Sequence, residues 1–60
     1  MDEQLHLTHR ADYLRGHTAG EADAKAGDDY KPRDGSTGKS AQAYGLGYAD
    51  GWKFANGSLP

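Results

Sequence analysis

Small and apolar positions recur with a helical period in two stretches of the chain. In the second, S-A-Q-A-Y-G-L-G-Y-A-D-G-W-K-F-A-N over residues 40–56, two stripes run side by side. Ala43, Gly47, Gly51 and Ala55 recur every four residues, and Tyr44, Tyr48 and Trp52 do the same one position later. Residues four apart share a helix face. One face of this helix is therefore nearly bare backbone, and the strip beside it is aromatic. Gln42, Ala49, Lys53 and Asn56 fall opposite and make the expected solvent face.

The first stretch starts near Glu3, with Asp2 as its cap, and meets no proline before Gly27. At 100° per residue, His9, Tyr13, Gly16, Gly20 and Ala24 fall on one arc, with His6 and His17 at one edge and Leu5 at the other. Gly16 and Gly20 each cost about 1 kcal/mol against alanine inside a helix. Close approach of a second backbone is the simplest compensation. The competing reading is that these glycines break the stretch into turns.

Residues 28–39, D-D-Y-K-P-R-D-G-S-T-G-K, read as a loop. Pro32 biases Lys31 away from helix, and Asp34-Gly35 and Thr37-Gly38 are turn dipeptides. Ser36 or Thr37, with Ser40 as a later option, caps the second helix, and Gly57 is its left-handed terminator before Pro60. An internal echo sets Gly20-Glu-Ala-Asp23-Ala24 on Gly47-Tyr-Ala-Asp50-Gly51, 27 residues on. Together these features predict one all-α domain over residues 1–60. It is an antiparallel helical hairpin of helix 3–27, loop 28–39 and helix 40–56. Gly16, Gly20 and Ala24 would pack on Ala43, Gly47, Gly51 and Ala55. One helix pair leaves outer surfaces bare, so a homodimer or a large partner is expected over Tyr44, Tyr48, Trp52 and Phe54.

Composition narrows the function. With 60 residues, nine of them glycine, and 35% apolar content, the chain is of the size that usually needs a staple or a partner. It has no cysteine, which removes disulfides and thiolate metal sites. No run approaches the roughly 18 apolar residues of a membrane span, and nothing marks a secretion signal. A cytoplasmic location and no membrane partner are expected. The net charge of −2 is not the overall footprint of a nucleic-acid binder. A local basic patch remains open among Arg10, Arg15, Lys25, Lys31, Arg33, Lys39 and Lys53.

No catalytic constellation stands out. Gly38-Lys39-Ser40 ends like a phosphate-binding loop, but Arg33 stands where the motif needs its first glycine. A turn followed by a helix cap explains it better. Asp28, Asp29 and Asp34 lack the alternation of a calcium loop. His6 and His9 are close enough in sequence to share a metal, yet the second helix offers only Asp50 as a further ligand. The imidazoles fit a semi-polar contact surface instead. Asp23 and Asp50 resemble twin carboxylates, but two helices scarcely enclose a pocket, and each is expected to pair with an arginine or to cap a polar contact. No enzyme activity, cofactor, metal or small-molecule substrate is expected.

Arg15-Gly16-His17-Thr18-Ala19-Gly20-Glu21-Ala22 resembles the R-G-x-x-A-G-x-A stretch of the first helix in the ribosome modulation factor family. Those are short bacterial proteins of two helices joined by a proline-containing loop. Tyr30 and Pro32 sit about where that loop carries an aromatic residue and a proline, and Gly51-Trp52-Lys53-Phe54-Ala55 is similar to the family's G-W-x-x-A. The resemblance covers roughly residues 10–56. It implies binding to the small ribosomal subunit, contact with ribosomal RNA, and silencing of translation in non-growing cells through ribosome pairing. With a ribosome as target, Arg10, Arg15, Lys31, Arg33 and Lys39 would meet phosphate. The alternative is a protein-interaction module, a phage or host regulator, that docks the aromatic strip into a groove on a protein target.

Overall fold

Three helices make up residues 4–57, which the computed structural model describes. They are α1 (Leu5–Thr8), α2 (Arg10–Ala26) and α3 (Gly38–Ala55). The two long helices pack against each other, and a single linker joins them, as the small-residue stripes require. The proposed Asp2 cap and the terminal Pro60 lie outside the described residues.

The first helix is interrupted where one continuous helix over 3–27 was expected. His9 leaves helical geometry (φ −123°, ψ 51°) and divides α1 from α2. The Thr8 hydroxyl donates to the Gln4 carbonyl one turn back (3.3 Å), a bond that favours bending. The bend accompanies burial of Leu5, which is 7% exposed. α2 then ends on Gly27, whose φ of 75° suits a residue without a Cβ. α3 starts two residues earlier than expected, with Thr37 as its flanking residue.

Backbone contact between α2 and α3 is made through four glycines. A Cβ on Gly16 would fall on the Tyr44 carbonyl, 2.9 Å from Tyr48 N, and one on Gly20 would fall on the Tyr48 carbonyl. Reciprocally, a Cβ on Gly47 would strike the Tyr13 carbonyl, and one on Gly51 the His17 carbonyl. All four glycines are buried. The packing stripes expected on the two helices are thus the ones that meet.

These contacts also fix direction. Moving four residues up α2, from Gly16 to Gly20, moves the contact four residues up α3, from Tyr44 to Tyr48. The helices therefore run in the same sense, which corrects the antiparallel expectation. The near-symmetric match is Tyr13, Gly16, Gly20 and Ala24 on Tyr44, Gly47, Gly51 and Ala55. That is an offset of 31 residues rather than the 27 of the sequence echo.

The linker is long enough to permit this. With Gly16 level with Gly47, the chain must descend roughly 25–30 Å between Gly27 and Gly38, at about 1.5 Å per helical residue. Eleven extended steps reach about 36 Å, whereas an antiparallel hairpin takes about 2–5 residues. Residues 28–37 contain no helix or strand. On the way down the Lys31 N–H donates to the Tyr48 hydroxyl (3.0 Å), and Asp34 meets Arg15.

Candidate functional site

The aromatic strip divides between core and surface. Tyr48 is 1% exposed and Tyr44 8%, so both belong to the core and not to the expected docking surface. The Tyr48 hydroxyl donates to an Asp23 carboxylate oxygen. Burial first, and that carboxylate second, raise its pKa. The Arg15 guanidinium lies over the Tyr44 ring, 5.4 Å from its centre. Trp52 is half-buried and stacks on Tyr48, with centroids 6.0 Å apart. Phe54 is mostly exposed, its ring 5.8 Å from His17.

A ring that the helical stripes did not include joins this surface. Tyr30, in the linker, sits edge-on to both Tyr48 and Trp52 at 5.2 Å and remains half-exposed. Its signal in the sequence was an aromatic residue beside Pro32, in a linker too long for a tight hairpin. The surface aromatic site is thus Tyr30, Trp52 and, apart from them, Phe54.

Among the five expected phosphate contacts, Arg15 is already engaged. It bonds Asp12 at 2.7 Å and Asp34 at 2.8 Å, and so ties the returning linker to α2. Asp34 also accepts from the Ser36 hydroxyl and N–H, at 2.5 and 3.0 Å. The Ser36 hydroxyl, the Ser36 N–H and then Arg15 hold the Asp34 carboxyl down to about 2. Lys31 and Arg33 are exposed on either side of Pro32, and Arg10 and Lys39 are exposed at the starts of α2 and α3.

The two repeat-related carboxylates receive tyrosine hydroxyls from the opposite helix. Tyr48 donates to Asp23, and Tyr13 donates to Asp50 at 2.5 Å. The Asp50 bond, helped by burial, pushes the Tyr13 phenol up to about 12. Neither carboxylate pairs with an arginine. His6 and His17 both lie against the Tyr13 ring, at 6.1 and 6.2 Å. Among the described residues, no three His, Asp or Glu side chains gather to hold a metal ion.

A second surface was missed altogether. The side of α2 that faces away from α3 carries Ala11, Leu14, Thr18 and Ala22, with Leu7 preceding them in α1. Leu7 is 55% and Leu14 46% exposed. A groove of about 700 Å³ runs between this face and the Tyr44 ring. Its 11-14-18-22 spacing was present in the sequence, but the glycine arc marks the other side of the helix as the packing face. On the outward side of α3 Gln42, Lys53 and Asn56 are exposed as expected, Ala49 is partly exposed, and Leu46 stands among them 49% exposed. No helix among the described residues is long and apolar enough to cross a membrane. The chain matches no family model, no curated protein and no solved structure.

Proposed function

We propose that the chain is a ribosome-associated factor that meets small-subunit RNA along its linker edge and silences translation in the cytoplasm. The observation that carries this reading is Tyr30, half-exposed and braced edge-on by Trp52, with exposed Lys31 and Arg33 just beyond it. An exposed ring stacks on a base for about 1–3 kcal/mol, and neighbouring cations bind phosphate in a salt-dependent way. The likeness of residues 15–22 and 51–55 to ribosome modulation factors supports the same target. Co-sedimentation with bacterial small subunits tests it. Retention should fall steeply as salt rises, and fall further in Tyr30→Ala and in Lys31→Glu/Arg33→Glu. Retention insensitive to salt and to all three substitutions rejects it.

A second reading, a protein-interaction module, is favoured by a different observation. The apolar outer face of α2 is unpartnered, and the net charge is −2. Binding through that face would depend little on salt. It would be lost in Leu14→Asp and kept in Tyr30→Ala.

A further inference from the structure

We infer that the outer face of α2 is a self-association surface, on which a second copy of the chain docks antiparallel about a two-fold axis level with residue 16. The inference rests on the protein-interaction reading of that face and names its partner. The face is graded in size. Leu14 lies toward its N-terminal end, and Thr18 and Ala22 toward its C-terminal end. Antiparallel pairing lays the large end of one copy on the small end of the other, so facing positions interdigitate. Leu14 then meets the second copy's Thr18, and Ala11 its Ala22.

Charge selects the same arrangement. Arg10 and Glu21 lie on one edge of the face, at neighbouring angles on the helical wheel. Arg10 is exposed and makes no ion pair among the described residues, while Glu21 is partly exposed between Lys25 at 3.2 Å and His17 at 3.8 Å. Antiparallel pairing in this register brings each Arg10 to the other copy's Glu21, giving two equivalent pairs. Parallel pairing would set this edge against the opposite one, which carries Arg15 and Ala19, and would leave both Arg10–Glu21 pairs unmade. At the other edge Arg15 is neutralised within its own chain by Asp12 and Asp34, so two copies approach there without repulsion.

Sedimentation equilibrium of the full chain over a wide concentration range tests this. A monomer–dimer equilibrium is expected, and Leu14→Asp should leave only monomer with its helical circular dichroism intact. Arg10→Glu and Glu21→Arg should each weaken the dimer by roughly tenfold, because a two-fold interface alters two pairs at once. The double variant Arg10→Glu/Glu21→Arg should restore it. A chain that stays monomeric throughout, or a double variant no tighter than either single one, overturns the inference. If a monomeric chain still binds another protein, and Leu14→Asp abolishes that binding, the docking reading survives and self-association fails.

Discussion

Tyr48 of α3 and Asp23 of α2 are joined by a hydrogen bond across the helix pair, and the same hydroxyl accepts from the Lys31 N–H of the linker at 3.0 Å. One side chain thereby ties all three segments together. Tyr48→Phe keeps the ring but leaves a backbone donor and a carboxylate without that partner. Such losses cost about 1–3 kcal/mol each when the groups are buried, and both are only partly buried here. A total near the lower end, about 1–2 kcal/mol, is expected in urea unfolding. An unchanged midpoint would remove the hydroxyl from the account of stability.

Alanine should act oppositely at glycines of one helix. At Gly47 the added methyl meets the Tyr13 backbone, which cannot rotate away, so Gly47→Ala should destabilise by about 1–3 kcal/mol. At Gly45 the nearest atom would be the Pro32 carbonyl at an ordinary 3.5 Å. There helix propensity decides, and Gly45→Ala should stabilise by about 0.5–1 kcal/mol. Thermal melts of the two variants give the signs directly. Stabilisation by both would deny the backbone contact.

Linker length discriminates the direction of the helices. Deleting residues 29–33 leaves six steps between Gly27 and Gly38, a reach of about 20 Å. That is too short for a descent alongside the pair but ample for an antiparallel hairpin. The deletion should lose cooperative unfolding, and a sharp melting transition would contradict the parallel arrangement.

Stability should fall at both pH extremes, for separate reasons. Asp34 has its pKa lowered from 3.8 to about 2 by Ser36 and Arg15. Its contribution is present above pH 4 and disappears as pH falls toward 2. Tyr13 has its pKa raised from 10.0 to about 12 by Asp50. Its contribution is present below pH 10 and disappears as pH rises toward 12. Melting temperatures of Asp34→Asn and wild type should converge at the acid end, and those of Tyr13→Phe and wild type at the alkaline end. Differences that persist unchanged across those windows would place the stabilisation elsewhere.

Much of the helix pair was legible because it depends on short-range periodicity. The four-residue spacing of Gly16 and Gly20, and of Gly47 and Gly51, predicts which faces meet whatever the direction of the helices, since a bare backbone stripe accepts a neighbour in either sense. The site was less legible. Tyr44 and Tyr48 look like a docking strip beside the glycines. Helices brought together by glycine, however, approach closely enough to bury the adjacent rings as well.

The sequence by itself determined that two long helices flank a linker, and which glycines face each other. Tertiary structure alone decided the direction of the pair, because that depends on whether the linker turns or runs back. Residues 28–37 run back, held by Tyr48 and Arg15, contacts between residues distant in sequence. That return places Tyr30 on Trp52, and the parallel pairing leaves the Ala11 to Ala22 face of α2 uncovered.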